Sequence, residues 1–224
     1  MAPPAFPPEI HSLIIRFATY TPVYFDSPDP QYWPVDGELY SGIAADYTTK
    51  KALMLVSRQF RRMSLPYLYE VVEVHKSSNM HRLAEVLDMR SSENTSSGQQ
   101  NPRKIVHLFV SVLETNDGRG KLAVFNSLGR VLTRCRSLQG FGLLDAAPYT
   151  LDTPCDWWIS IPKGIRFADW HGSIMACDFA QMIDGISESL MALRISKSPY
   201  QTSSPRVSLP RLTHLSILEG IWDH

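Results

Sequence analysis

This chain of 224 residues has little of what several protein classes require. Its 22 basic and 22 acidic residues leave a formal net charge of zero. A surface that binds nucleic acid needs a basic excess to displace counterions, so this balance argues against a nucleic-acid partner. No hydrophobic run approaches the roughly 20 residues of a membrane span. Met1-Ala2-Pro3-Pro4 opens without the pattern of a secretory signal. We therefore expect neither nucleic acid nor a membrane as a partner.

Cysteine is scarce as well. Cys135, Cys155 and Cys177 are odd in number and far apart, which argues against a disulfide framework. A reducing compartment, cytoplasm or nucleus, is the simpler expectation. Metal-binding spacings such as C-x-x-C are missing, so we expect no metal site. The possible ligands by residue type are Cys155, Asp169, His171, Cys177 and Asp178.

Catalytic motifs are also missing. Asn116–Lys121 lacks both the upstream glycine and the Ser or Thr that a phosphate loop needs, and it predicts a turn before a helix. His171-Gly172-Ser173-Ile174 does not match the G-x-S-x-G of a serine hydrolase. We expect a protein that is not an enzyme and carries no cofactor.

What the chain does contain is enough apolar sequence for a core, since 44 % of its residues are hydrophobic and 10 % are aromatic. Pro7-Pro8-Glu9 predicts a helix start, because proline is preset for the first turn and Glu9 favours the positive end of the helix dipole. An apolar stripe follows at helical spacing: Ile10, Leu13, Ile14 and Phe17.

Lys51–Glu70 predicts a second helix, with an apolar stripe on one side and polar residues on the other. We expect Pro66 to end its regular pattern and Ser64 to cap a short helix after it. Three arginines of the polar side are typical of a solvated helix face, with an acidic partner as the alternative. The stripe consists of Leu53, Val56, Phe60 and Met63, and the arginines are Arg58, Arg61 and Arg62.

Residues 20–47 lie between these two helices. Four prolines argue against a continuous helix there, and the aromatic content is too high for a plain linker. We expect an ordered insertion packed on the helical region, with a peptide-binding patch as the alternative. The prolines are Pro22, Pro28, Pro30 and Pro34, and the aromatic residues are Tyr24, Phe25, Tyr32, Trp33 and Tyr40.

After Tyr69 the pattern changes from helix to alternation. A short strand is predicted around Val72 and Val74, followed by a helix capped by Ser77 or Ser78. The polar segment Ser91–Pro102 predicts a mobile loop. The apolar residues that define the predicted helix are Leu83, Val86 and Leu87.

From residue 105 onward, the pattern hydrophobe-x-x-hydrophobe-x-hydrophobe occurs five times, at starts 22 to 33 residues apart. Each repeat predicts a strand, and helices are predicted at Leu122–Cys135 and Phe179–Ser187. One such unit cannot bury its apolar face alone, so the units are expected to stack. Trp157-Trp158 is expected to pack between repeats, with an exposed binding anchor as the alternative. The repeats start at Ile105, Leu138, Ile165, Leu190 and Leu212.

Two segments in the first third of the chain resemble the two halves of an F-box. Phe6-Pro7-Pro8-Glu9-Ile10 stands where that family has Leu-Pro-x-Glu-Ile/Leu. Leu53-x-Leu55-Val56-Ser57-Arg58-x-Phe60-Arg61, followed by Leu65-Pro66-x-Leu68-Tyr69, resembles its hydrophobe-Val-Cys/Ser-Arg/Lys-x-Trp/Phe-Arg core and Leu-Tyr pair. The form is most similar to the F-box-like proteins abundant in mushroom-forming fungi.

The repeats resemble degenerate leucine-rich repeats. The two resemblances imply a mixed α and β fold. A small helical F-box-like module at 1–70, with the insertion at 20–47, would lead into an α/β leucine-rich-repeat-like solenoid arc at 71–224. The departure from the family is that its Asn or Cys position is occupied here by Leu113, Ala146, Ser173, Ser198 and Gly220.

By resemblance, such a chain is the substrate receptor of an SCF-type ubiquitin ligase. Its F-box docks on a Skp-family adaptor bound to a cullin scaffold, and its repeat arc binds an unknown protein target. The alternative is an interaction scaffold with an F-box-like fold and no ligase role. The residues expected to contact the adaptor are Pro8, Ile10, Leu13, Ile14, Leu53, Val56, Phe60 and Leu65.

Within each repeat strand, the residues between the apolar positions are expected to face outward and to be solvated. By the leucine-rich-repeat resemblance, these outward faces form the concave surface that binds the target. Phe109 and Phe167 stand out there, and their burial under loops such as Asp156–Ile161 is the alternative. Asp169 and Arg194 occupy equivalent positions, so a pair between them is the alternative to target contact. The residues expected to contact the target are His107, Phe109, Phe167, Asp169, Arg194 and His214.

Overall fold

The structure, a computed structural model, describes residues 7–20, 38–97, 104–111, 118–146, 156–172, 176–195 and 207–217. These residues form six α-helices and a six-stranded sheet, which confirms the mixed α and β class. The chain divides into two compact units. Unit 1 comprises Met1–Val72 with Asn101–Lys104, and unit 2 comprises Glu73–Gln100 with Ile105–His224.

The described part of unit 1 consists of helices α1 (Pro8–Ala18), α2 (Glu38–Val56) and α3 (Arg58–Leu68), each in contact with the other two. Helix α1 begins where the sequence predicts, because Pro7 is its N-cap and accepts the N–H of Ile10 at 3.0 Å. It ends at Thr19, whose hydroxyl donates to the carbonyl of Ile15 at 2.6 Å. Ile15 and Thr19 are buried, so this side of α1 faces the core of unit 1.

The expectation of one apolar stripe through Lys51–Glu70 is wrong, because the helix breaks at Ser57. Ser57 has extended backbone, and its Oγ accepts the N–H of Phe60 at 3.1 Å, which makes it the N-cap of α3. Serine favours this position since its side chain satisfies an otherwise unpaired N–H of the first turn. The break places Val56 and Phe60 on different helices.

The expected end of the helix before Pro66, with Ser64 as a cap, is also wrong. Helix α3 runs through Pro66 to Leu68, and Ser64 is buried inside it. A proline removes one backbone hydrogen bond. Only Tyr67 and Leu68 follow it in the helix, so little regular structure depends on that bond. The N–H of Tyr69 closes the helix by donating to the carbonyl of Pro66 at 3.3 Å.

The predicted insertion at 20–47 is too long. Residues 38–47 form the first half of α2, so the apparent insertion ends where that helix begins. All four prolines that argue against a helix precede this point. Residues 21–37 lie outside the described part of the chain, together with those prolines.

Unit 2 contains the sheet, whose strands lie in chain order from β1 to β6. The pairings from β2 to β6 are parallel, and the boundary between the units falls inside β1. The strands are β1 (Val71–Val74), β2 (His107–Val110), β3 (Gly140–Ala146), β4 (Phe167–Gly172), β5 (Ala192–Ile195) and β6 (His214–Ile217). Between them lie α4 (Ser77–Ser97), α5 (Gly118–Arg134), a 3₁₀ helix (Trp157–Ser160) and α6 (Ala176–Ile186).

The strand register is the one that the sequence repeats predict. The middle apolar residue of each repeat lies opposite the middle apolar residue of the next: Leu108, Phe141, Ala168, Leu193 and Leu215 form one row. Because side chains alternate along a strand, one fixed row determines which face every other residue occupies.

One backbone arrangement recurs at the start of each of these strands. The carbonyl of Val106 accepts the N–H groups of Gln139 at 2.8 Å and Gly140 at 3.1 Å. The carbonyls of Gln139, Arg166 and Met191 each accept two N–H groups from the next strand in the same way. The repeats therefore stack with equivalent hydrogen bonds, although their lengths differ.

The middle and last apolar residues of the repeats lie on the sheet face that carries the helices. Trp157 of the 3₁₀ helix stacks against Trp170 of β4 at 5.9 Å and against Phe125 of α5 at 5.7 Å between ring centroids. Phe125, Leu128 and other apolar residues of α5 are almost fully buried. Trp157 thus fills the space between repeats, as the sequence predicts.

Helix α4 starts at Ser77 as predicted but extends further than expected. Ser91–Ser97 belongs to it, so the prediction of a loop beginning at Ser91 is wrong, while residues 98–102 lie outside the described part. Helix α4 packs against α5, where Asp88 accepts from Arg130 Nε at 2.9 Å and Arg134 Nε at 3.0 Å. These arginines stand one turn apart, so both reach the same carboxylate.

Gly142 of β3 lies under the ring of Phe109 of β2, its register partner. A Cβ atom at Gly142 would lie 2.6 Å from Phe109 Cδ1, closer than carbon atoms approach one another. Phe109 is fully buried, so its ring has little room to move. Glycine fits position 142 because the ring of Phe109 leaves no room there for a Cβ atom.

We predict that Gly142→Ala lowers the free energy of unfolding by about 1–3 kcal/mol, the usual cost of overpacking a core. Gly185→Ala is the control, since no atom lies within 4 Å of a Cβ there. It lies in α6 and should raise stability by roughly 0.5–1 kcal/mol. Chemical denaturation measures both. Phe109→Leu should reduce the cost of Gly142→Ala, and an equal cost in both backgrounds would contradict the steric explanation.

Candidate interaction surfaces

Helix α1 presents apolar side chains to solvent on the side away from Ile15. The exposed fraction is 40 % for Ile10, 48 % for Ile14 and 79 % for Phe17, and Leu13 is similarly exposed. An isolated exposed leucine is ordinary, whereas four large apolar residues on one face of an 11-residue helix form a patch. The predicted stripe exists, and unit 1 does not bury it.

Further exposed apolar residues lie at the end of α2. Leu55 and Val56 are both exposed, while Leu53 of α2 and Leu65 of α3 are half-buried. Helices α1, α2 and α3 contact one another, so all eight residues expected at the adaptor lie on one small helical unit. The side chain of Pro8 lies outside the described set.

Phe60 joins the core of unit 1 to its surface. Its ring meets His11 of α1 edge-on, with 5.7 Å between centroids, and it is half-buried. Part of the ring therefore holds α1 against α3, and part remains accessible. Arg58, Arg61 and Arg62 near it are all exposed, as a solvated helix face requires.

The second predicted surface is the sheet face opposite the helices of unit 2. The expectation that this face is solvated is wrong for Phe109, Phe167, Asp169 and Arg194, which are at most 5 % exposed. The segment Asp156–Ile161 does not bury Phe109 and Phe167, because its Trp157 packs on the opposite, helical face of the sheet. His107 and His214 are half-buried, so they remain the accessible members of the set.

Three charged or titratable side chains form a cluster at this face. Arg194 donates from Nε to Asp169 Oδ1 at 2.8 Å and from a terminal nitrogen to Oδ2. His171 Nε2 lies 2.8 Å from Oδ1 of the same carboxylate. Burial alone would raise the pKa of Asp169, but the contacts with His171 and Arg194 outweigh it and hold that pKa below its ordinary value. Asp169 and Arg194 therefore pair between neighbouring strands, which is the alternative to target contact that the sequence pattern indicates.

We predict that Asp169→Ala lowers the free energy of unfolding by about 3–5 kcal/mol at pH 7, because Arg194 is left buried without a counter-charge. Asp169→Ala combined with Arg194→Met should cost less than the sum of the two single changes. Chemical denaturation of all four proteins measures this coupling, and additive costs would contradict it.

The same pair should make stability depend on pH. The pKa of Asp169 is lower in the folded chain, so its contribution is present above the unfolded value of about 4. The contribution is lost as the pH falls through the folded pKa. In the Asp169→Ala protein, the free energy of unfolding measured by chemical denaturation should therefore fall less steeply as the pH is lowered below about 4.

A groove of about 590 Å³ lies in unit 2 beside α5. Two arginines and two aspartates line it, and hydrogen bonds from Arg130 and Arg134 lower the pKa of Asp88. Its charges balance, so the groove has no electrostatic preference for an anion. The lining residues are Asp88, Phe125, Asn126, Gly129, Arg130, Thr133, Arg134, Asp156, Trp157 and Ser160.

Metal ligation finds no support in the described part of the chain. Among those residues, no three His, Cys, Asp or Glu side chains are grouped as a metal site would require. Asp169 and His171 come together, but the side chains of Cys177 and Asp178 and all of Cys155 lie outside the described set. Cys135 is buried, and burial raises the pKa of its thiol to about 12. At neutral pH it is therefore not a thiolate ligand or nucleophile.

Comparison with known proteins does not assign the chain to a family. No protein-family model, no curated protein and no solved structure matches it. Within the described residues, no helix has the length and apolar character needed to cross a membrane. The assignment of function therefore depends on the surfaces themselves.

Proposed function

We propose that this protein is the substrate receptor of an SCF-type ubiquitin ligase, with unit 1 as an F-box-like module that docks on a Skp-family adaptor. The observation that supports this most is the apolar patch of α1, where Ile10, Leu13, Ile14 and Phe17 stay exposed in the folded chain. Helices dock in partner grooves through apolar anchors at this spacing. The sequence resemblance to an F-box falls on the same helices.

The arrangement of α2 and α3 supports the proposal further. Ser57 breaks the helix where the F-box-like pattern has Ser-Arg, and this break leaves Leu55 and Val56 exposed. Phe60, half-buried against His11, serves as an aromatic anchor that links α1 to α3. The adaptor contact in this proposal comprises α1, the end of α2 and the start of α3.

In this proposal unit 2 supplies the leucine-rich-repeat-like arc that holds the target. Its strands follow chain order in parallel register, as stacked repeats require. The receptor would bring the target close to the ubiquitin-charged enzyme and so raise its effective concentration. We propose the cytoplasm or the nucleus as the site of this activity.

Adaptor binding should weaken when the patch is changed. We predict that Ile14→Asp or Phe60→Ala weakens binding to a purified Skp-family adaptor about 30-fold, since loss of a central anchor costs about 2 kcal/mol. Ile159→Asp is the matched control, because Ile159 is 74 % exposed but belongs to unit 2. Isothermal titration calorimetry measures the affinities, and circular dichroism verifies folding.

Two outcomes would contradict the proposal. Undiminished adaptor binding by folded Ile14→Asp and Phe60→Ala proteins would remove the patch as the docking site. Failure of the unchanged protein to bind any adaptor, with no cullin retained on purification, would favour the interaction scaffold without a ligase role.

A further inference from the structure

Three residues at the carboxyl ends of β1 and β2 form a polar cluster that the sequence does not reveal. Glu73 lies in β1, His75 follows it, and Ser111 follows β2. The N–H of Ser111 donates to the carbonyl of Val74 at 3.0 Å, which holds the two strand ends together. The cluster therefore lies at the carboxyl ends of two neighbouring strands, β1 and β2.

The side chains stand in the order hydroxyl, imidazole, carboxylate. Ser111 Oγ lies 2.6 Å from His75 Nδ1, and His75 Nε2 lies 3.1 Å from Glu73 Oε1. Ser111 Oγ also lies 3.4 Å from the carbonyl oxygen of Val74, a longer contact than the one with His75. A nucleophile, its base and the group that supports the base stand in the same order in serine hydrolases, although there the serine meets Nε2 and the carboxylate meets Nδ1, the reverse of the arrangement here. The side chain of His75 is 57 % exposed and that of Glu73 only 7 %. The imidazole is therefore accessible and Ser111 is partly exposed, while the carboxylate is shielded.

The buried carboxylate suits a positively charged imidazole. Oε1 of Glu73 makes no hydrogen bond, so its contact with His75 has the distance of an ion pair without the alignment of a hydrogen bond. An ion pair strengthens when His75 gains a proton. Burial raises the pKa of Glu73, and His75 only partly offsets this. The carboxylate therefore gains from a neighbouring positive charge.

A second serine–histidine pair in unit 2 provides a comparison. Ser127 Oγ lies 2.7 Å from His81 Nδ1, but Ser127 is only 4 % exposed. No carboxylate of the described residues lies within ion-pair distance of His81. The cluster at Ser111 thus differs in both accessibility and the presence of Glu73.

We propose that Ser111 is a nucleophile for acyl transfer from small esters, with His75 as its base and Glu73 as the positioning residue. Ser111 Oγ bonds to the ester carbonyl carbon while its proton passes to His75 Nδ1. The bond to the leaving alcohol breaks, and the alcohol takes that proton. Water then attacks the acyl-serine by the same route, releasing the carboxylic acid and restoring Ser111. This activity stands apart from adaptor binding, because all three residues belong to unit 2.

A fluorophosphonate probe tests the nucleophile in the unchanged protein. We expect one phosphonyl adduct per chain, located on Ser111 by tandem mass spectrometry. The result needs no variant, so a misfolded mutant cannot obscure it. No adduct, or adducts spread over surface serines at the rate of free serine, would overturn the proposal.

Variants then test the roles of the other two residues. His75→Gln should slow labelling and 4-nitrophenyl acetate hydrolysis by about 100-fold or more, the usual contribution of a general base. Glu73→Gln should slow both, and Glu73→Asp should restore part of the rate, which a purely structural role would not do. Ser127→Ala is the control and should change neither rate. Equal rates in the His75→Gln protein would overturn the assignment of the base.

Discussion

The paired backbone hydrogen bonds at the start of each strand are the constraint on which unit 2 depends. The carbonyls of Val106, Gln139, Arg166 and Met191 each accept two N–H groups from the next strand. They fix one register for β2 to β6, and the register assigns every strand residue to a face. A shift by one residue would turn the row of Leu108 and its equivalents away from the helices. The stacked tryptophans and the Asp169–Arg194 pair both follow from this register.

The two faces of the sheet satisfy different requirements. The helical face is filled with aliphatic and aromatic side chains, and stacking of Trp157 on Trp170 joins the 3₁₀ helix to β4. The opposite face carries the buried rings of Phe109 and Phe167 together with charged groups, of which Asp169 and Arg194 pair across strands. A buried charge is tolerated only with a partner, so Asp169, His171 and Arg194 form a cluster. The same logic applies where Glu73, His75 and Ser111 meet at the strand ends.

The sequence predicts those structural features that depend on neighbouring residues or on a repeated apolar pattern. The apolar repeat is enough to derive the register of β2 to β6, and Pro7-Pro8-Glu9 locates the start of α1. The break at Ser57 does not follow from apolar spacing, which continues across it, although serine before a new helix is a capping signal. Burial of Phe109 and Phe167 does not follow from alternation, since alternation separates the faces without determining what covers them. The meeting of Ser111 with His75 requires a pairing between distant strands that spacing along the chain does not show.

The proposed function depends on unit 1, because the exposed apolar patch of α1 is explained by a partner that covers it. Hydrogen exchange of the whole chain, with and without a purified Skp-family adaptor, measures that cover directly. We expect slower amide exchange in α1 and around Leu55–Phe60 when the adaptor binds, with exchange in β2 to β5 unchanged. Unchanged exchange in α1, or protection confined to unit 2, would contradict it.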